Sequence, residues 1–178
     1  AARRLGLVVD APLLALCPGA EIGAAKRWPA QHFARLAQTF LAQGWQVLLL
    51  GSKADRGPCD DIARHCPDNG LVDASPLTSL DEAVDLLALA TLVVSNDSGL
   101  MHVAAALERP VLGLYGPTSP DFTPPLQPLA RVLSAGLDCA PCCARECPLG
   151  HHRCMADLSP RAALEQLREL QVAGRAVR

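Results

Sequence analysis

One run of the chain gathers residue types suited to holding phosphate: Val94-Ser95-Asn96-Asp97-Ser98-Gly99-Leu100-Met101-His102-Val103-Ala104-Ala105-Ala106. Asp97 stands where a helix N-cap is expected, since a short carboxylate can accept from first-turn N–H groups. Ser98 and Gly99 would then expose backbone N–H groups at a helix amino end. Such an end carries partial positive charge and forms a ready cradle for a diphosphate. Gly99 lets a ligand approach the backbone closely. His102 follows one turn later, so it can face the same ligand. Taken alone, Asp97 fits an ordinary capped helix and His102 a satisfied core histidine. The cluster taken together reads as a site.

The cations point to the same chemistry. Of the 16 basic residues only Lys26 and Lys53 are lysines. A lysine is a compact point charge where arginine is a planar fork, so a lysine in an arginine-rich chain is a candidate for a specific contact. Lys26 closes the loop Pro18-Gly19-Ala20-Glu21-Ile22-Gly23-Ala24-Ala25-Lys26-Arg27-Trp28-Pro29. The loop is not a Walker motif, which needs Lys directly after the last glycine and then Ser or Thr. No G-x-G-x-x-G is present either. Lys26 can neutralise a phosphate, or it can be a solvated loop lysine. Asp55 has two readings of equal weight: an acceptor for ribose hydroxyls, or a favourable charge at a helix start.

These residues need a frame. Apolar runs at Leu13–Cys17, Trp45–Leu50, Leu71–Asp73, Thr91–Ser95, Pro110–Tyr115 and Ala130–Ser134 read as strands. Between and after them, helices are expected at Ala30–Gln43, Asp55–His65, Leu80–Leu89, Asp97–Glu108 and from Pro160 to Leu170. Gly44 ends the first helix, and Ser79 with Glu82 forms a capping box for the third. Alternating strands and helices, with strands apolar on both faces, predict an α/β fold with a doubly wound, Rossmann-like parallel sheet. In such sheets ligands bind at the carboxyl ends of the strands. Four loops rich in glycine or hydroxyls fall on that one edge: after the first, second, fourth and fifth strands.

Composition narrows the partners. The chain has 178 residues, half of them hydrophobic, and a formal net charge of −2. One domain with a sizeable core is expected. The charge argues against nucleic acid, whose backbone needs a basic face. No apolar run is long enough for a transmembrane segment, and the first residues lack the apolar stretch of a signal peptide.

Five of eight cysteines fall in one loop, 138–154. Cys139, Cys142, Cys147 and Cys154 can supply four thiolates to a structural zinc, with His151 and His152 nearby. The second pair is spaced more widely than in a standard zinc ribbon. Reduced packed thiols, and disulfides formed in air, are the alternatives. Cys17, Cys59 and Cys66 read as small apolar core residues.

Three segments carry a more specific signal: residues 18–29, residues 96–107, and Leu-Tyr-Gly-Pro-Thr-Ser-Pro-Asp-Phe-Thr-Pro-Pro-Leu at 114–126. They resemble the heptosyltransferase II family of glycosyltransferase family 9, and the likeness covers nearly the whole chain. The resemblance implies one half of a GT-B glycosyltransferase: a donor-binding domain spanning 1–178 that takes ADP-heptose or ADP. Lys26 and Asp97 would be catalytic. Lys26 would bind the diphosphate and help ADP leave; Asp97 would contact the heptose. Asp55 would hold the ribose, Thr78 and Leu77 would line the adenine pocket, and Ser98, Gly99 and His102 would lie against sugar and phosphate. Transfer to the lipopolysaccharide inner core would invert the anomeric carbon and require no cofactor. Family members are about twice this length, in line with two domains. The amino-terminal acceptor domain, with its lipopolysaccharide contacts, is therefore expected to be absent, and the chain alone to be inactive. The implied location is cytoplasmic, including the inner-membrane periphery. The rival readings are a nucleotide-sugar domain of a related transferase or epimerase with another donor, and a metal-stabilised interaction domain.

Overall fold

The computed structural model describes residues 1–21, 23–66, 70–75 and 77–176; Ile22 of the first loop lies outside them. Six strands, β1 (Leu13–Cys17), β2 (Gln46–Leu49), β3 (Leu71–Asp73), β4 (Leu92–Asn96), β5 (Val111–Tyr115) and β6 (Ala130–Ser134), form one sheet in the order β3-β2-β1-β4-β5-β6. Every pairing is parallel. The helices are α1 (Ala30–Leu41), α2 (Arg56–Arg64), α3 (Leu80–Ala88), α4 (Gly99–Ala106), α5 (Arg153–Ala156) and α6 (Pro160–Ala176). The doubly wound sheet expected from the alternation is present, and element ends mostly move by a residue or two.

The core shows why the strands are apolar throughout. Side chains of a strand alternate between faces. Leu14 and Leu16 of β1 join Val47, Leu49, Leu92 and Val94 in one cluster with Phe33 and Leu36 of α1 and Leu167 of α6. Leu13, Ala15 and Cys17 point the other way and join Leu48, Val93 and Tyr115 with Leu86 of α3 and Met101 of α4. Each central strand thus feeds two cores, and a polar residue on either face would be buried. Cys17, Cys59 and Cys66 are buried in these clusters, as expected of small apolar residues.

Local signals set the helix ends. Ser79 and Glu82 make the expected reciprocal cap on α3. Gly44 follows α1 at φ +78°, a left-handed turn that suits glycine. Three expectations are corrected. Asp55 stands at the N-cap position of α2 rather than inside its first turn. It ends a short 3₁₀ turn, Lys53–Asp55, that leads into α2. The helix expected over Asp97–Glu108 is shorter, Gly99–Ala106, and its N-cap position is Ser98. The short α5 was not foreseen, and α6 runs beyond Leu170 to Ala176.

Candidate functional site

The chain leaves β1 toward β2 on one side and returns to β4 on the other. The strand order therefore reverses between β1 and β4, the switch point outside whose carboxyl ends open α/β sheets bind ligands. Cys17 and Ser95 are register partners there. The loops 18–29 and 97–99 thus leave the sheet side by side.

Asn96, the last residue of β4, organises this edge. Fully buried, its Nδ2 donates to Pro18 O at 2.8 Å and its Oδ1 accepts from the Trp28 N–H at 3.1 Å. One amide therefore clamps both ends of the 18–29 loop. Trp28 is pinned in turn: its indole N–H donates to Leu158 O at 2.8 Å, and its ring meets Phe33 edge-on at 4.9 Å. Between these anchors the 3₁₀ turn Ala24–Lys26 aims Lys26 at β4. Its Nζ meets Asp97 Oδ2 at 2.7 Å, with the two side chains 17% and 6% exposed. The other oxygen, Oδ1, accepts from Thr123 Oγ1 at 3.3 Å. Tyr115 donates its hydroxyl to Thr123 O. Burial, then the charge of Asp97, push the Tyr115 phenol well above its ordinary range.

The correction at Asp97 has a physical cause. The helix starts one residue later than expected, so Asp97 lies before the N-cap position and its carboxylate turns to Lys26 and Thr123 instead. Ser98 takes the N-cap place, but its Oγ shares a hydrogen bond with Ser95 Oγ at 3.2 Å and caps nothing. The amino end of α4 therefore has no side-chain cap. Space beside Gly99 is open, and Gly99 and His102 are both exposed one turn apart. An ammonium, a carboxylate and an uncapped helix end share one place. That is a setting for an anionic group, with the carboxylate free to receive a neutral hydroxyl.

Asp55 shows the helix-start role plainly. Its Oδ2 accepts from the Ser52 N–H and hydroxyl at 2.9 and 2.8 Å, half of a reciprocal cap. It is wedged between the loops after β1 and β2: a Cβ on Gly19 would stand 2.5 Å from its carboxylate. Oδ1 lies 3.8 Å from an Arg27 nitrogen. Thr78 and Leu77 follow β3. Thr78 Oγ1 donates to Ala74 O, and Leu77 is 59% exposed. Lys26, Asp97, Ser98, Gly99 and His102 are thus one group; Asp55 stands one strand away and Thr78 with Leu77 two. Asn96, Tyr115 and Thr123 are supporting residues that sequence reasoning did not assign. A polar residue ending a buried strand was the available signal for Asn96.

The cysteine loop adjoins this site. Among the described residues no disulfide joins the cysteines, and no three of His, Cys, Asp or Glu are gathered as a ligand set. Cys154 lies beneath the loop, where burial, then Cys142, Cys147 and Cys139, push its thiol up.

The chain belongs to glycosyltransferase family 9 (heptosyltransferase), whose sequence model matches residues 1–153. It is 43% identical over 174 residues to lipooligosaccharide heptosyltransferase 2 of Haemophilus influenzae, covering 94% of this chain and 50% of that one. Among solved structures, it superposes on ADP-heptose lps heptosyltransferase II of E. coli with a TM-score of 0.85 at 40% identity, over 98% of this chain and 50% of that one. E. coli heptosyltransferase WaaC with ADP gives a TM-score of 0.71 at 26% identity, over 95% and 48%. The chain spans about half the length of the relatives it matches.

Proposed function

We propose that this chain is the donor-holding half of an inverting glycosyltransferase that moves heptose from ADP-heptose to the inner core of lipopolysaccharide. The observation that carries the reading is an ordering along the sheet edge. Thr78 and Leu77 lie beyond β3, Asp55 beyond β2, Lys26 and the α4 amino end beyond β1 and β4. Base, ribose, diphosphate and sugar follow one another in the same order in a nucleoside diphosphate sugar. Strands about 4.8 Å apart put β3 and β1 about a nucleoside's length apart. The relatives support the choice of donor, since one was solved with ADP.

In this reading the acceptor hydroxyl attacks the anomeric carbon from the face opposite the diphosphate. The C–O bond to the diphosphate breaks and its electrons leave with ADP. Lys26 and the N–H groups of α4 stabilise the charge that develops on the leaving oxygen. Asp97 holds Lys26 in place beforehand and accepts from heptose hydroxyls. Asp55 Oδ1 is the oxygen left for a ribose hydroxyl. The base and the acceptor contacts belong to the rest of the protein, so this chain alone binds donor and transfers nothing. The setting proposed is the cytoplasm, at the periphery of the inner membrane. Among the described residues no helix is long and apolar enough to cross a membrane.

Calorimetric titration of the chain with ADP, ADP-heptose and UDP tests this. ADP and ADP-heptose should bind and UDP should bind more weakly. Preference for UDP would reject the donor assignment, and heptose transfer by the chain alone would reject the division of labour.

A further inference from the structure

Among the described residues the Asp97 carboxylate has one side-chain partner on each oxygen: Lys26 Nζ on Oδ2 at 2.7 Å and Thr123 Oγ1 on Oδ1 at 3.3 Å. The two partners do different things. An ammonium is a point charge with rotatable donors and imposes no plane on its partner. Alone, it leaves the carboxylate free to turn about the Cβ–Cγ bond, a torsion that is broad for Asp. A second donor on the other oxygen fixes the plane. A carboxylate offers about four lone-pair sites, and these contacts take one on each oxygen. Each oxygen therefore keeps an acceptor position, and the pair has a set direction.

Thr123 is held where this requires. From 116 to 129 the chain runs between β5 and β6 without helix or strand. The tip is folded on itself: Phe122 N donates to Ser119 O, and Asp121 N to Ser119 Oγ. Phe122 and Leu126 on either side are exposed. Thr123 is the tie between them. Its carbonyl accepts from the Tyr115 hydroxyl, and Tyr115 is fully buried at the end of β5. A Cβ on Gly113 would stand 3.0 Å from the Tyr115 ring and 2.9 Å from Met101 Sδ, so that glycine makes room for the tether. Pro124 follows Thr123 and biases it to extended backbone. The sheet thus fixes the Thr123 backbone, and the Thr123 hydroxyl fixes Asp97. Thr123 is itself exposed and adds nothing to the core. The Lys26–Asp97 ion pair does not need it either. Its contribution is the direction it gives the carboxylate.

We propose that Thr123 is a positioning residue for sugar recognition: it holds the Asp97 carboxylate in the plane in which its two remaining acceptor positions receive hydroxyls of the transferred sugar. Two acceptors fixed side by side suit two neighbouring hydroxyls, such as a sugar ring carries. This role rests on the donor-half reading and deepens it. It also divides the labour within the site. Lys26 serves the diphosphate with or without Thr123, while Thr123 serves the sugar alone.

The test is calorimetric titration of the chain with ADP and with ADP-heptose. ADP-heptose should bind more tightly than ADP. Thr123→Val keeps the branched shape and loses the hydroxyl. It should weaken ADP-heptose about 3- to 10-fold, the range of one net hydrogen bond, and leave ADP within about 2-fold. Thr123→Ser keeps the hydroxyl and should restore ADP-heptose affinity to within about 2-fold of the unaltered chain. Tyr115→Phe cuts the tether instead and should also weaken ADP-heptose more than ADP. In an Asp97→Asn background, Thr123→Val should cost nothing further. Failure of the chain to bind either ligand removes the donor reading, and this role with it. With ADP bound, the role alone is overturned by ADP-heptose binding no more tightly than ADP, or by unchanged ADP-heptose affinity in Thr123→Val. Equal loss of both ligands in Thr123→Val would mark a purely structural residue and overturn it as well. So would a loss in Thr123→Ser as large as in Thr123→Val, or a Thr123→Val loss that persists in full beside Asp97→Asn.

Discussion

Lys26 and Asp97 hold opposite charges 2.7 Å apart in a nearly closed setting. Neither can be removed alone without leaving the other short of a partner. The two losses differ in sign at a diphosphate. Lys26→Ala removes the ammonium and leaves a carboxylate facing the phosphates. ADP affinity should fall about 10- to 100-fold, equivalent to about 1.4–2.7 kcal/mol, measured by calorimetry. The double variant Lys26→Ala with Asp97→Asn should recover part of that loss, because the repelling charge has gone. A double variant weaker than Lys26→Ala would show that Asp97 does not face the phosphates. Asn96 makes a separate demand. Its amide is fully buried and bonds across the loop from Pro18 to Trp28. Asn96→Ala strands those backbone groups, and each buried unsatisfied group costs about 1–3 kcal/mol. Urea denaturation should show a destabilisation of about 2–4 kcal/mol. A change below about 0.5 kcal/mol, the ordinary range for surface positions, would mean the loop is held by other contacts.

At the scale of elements, the loop 18–29 is positioned from three sides: by Asn96, by the Trp28–Leu158 bond and by Arg145. The last is the most easily cut. Gly23 sits at φ +111° against the Arg145 backbone, a conformation that L side chains rarely adopt. Gly23→Ala must push the cysteine loop and the Lys26 loop apart. It should destabilise by about 1–3 kcal/mol and weaken ADP binding, while Gly6→Ala, also at positive φ but in open space, should leave binding unchanged. Equal ADP affinity in the Gly23 variant would separate the two loops functionally. This coupling also shows what was legible in the sequence. Lys26, Ser98 and Gly99 could be placed on one edge because strand ends and loop composition are local signals. The Asn96 clamp could not, since its partners lie 68 and 78 positions away. Asp97 was misread as a cap for the same reason: the local rule favours a cap, and a lysine 71 positions away took the carboxylate. Asp55 reversed that outcome. Its partner Ser52 is three residues away, so the helix-start reading was the one on display.

The whole molecule is tied together where α1, the Lys26 loop and the approach to α6 converge. Trp28 donates to Leu158 O there and meets the His32 ring edge-on at 5.2 Å. His32 is partly buried, and burial lowers its pKa from 6.5, offset in part by the backbone of Leu158. Between the lowered folded value and the ordinary unfolded one, the unfolded chain holds more protons. Stability then rises with pH across that window. The chain should therefore lose stability as pH falls below about 6.5, and this contribution should level off once His32 is protonated in the folded state. One group can contribute at most about 1.4 kcal/mol per pH unit, and partial exposure reduces it. His32→Gln has no such titration, so the difference between the two proteins in unfolding free energy should narrow on acidification from pH 7 to 5 if wild type is the more stable. If the variant starts out the more stable, its advantage should widen. Urea titrations at several pH values measure this directly. Parallel pH profiles for the two proteins would mean that His32 is solvated well enough to titrate as it does in the unfolded chain. The junction would then not be the closed apolar contact that links the chain's last helix to the loop carrying Lys26.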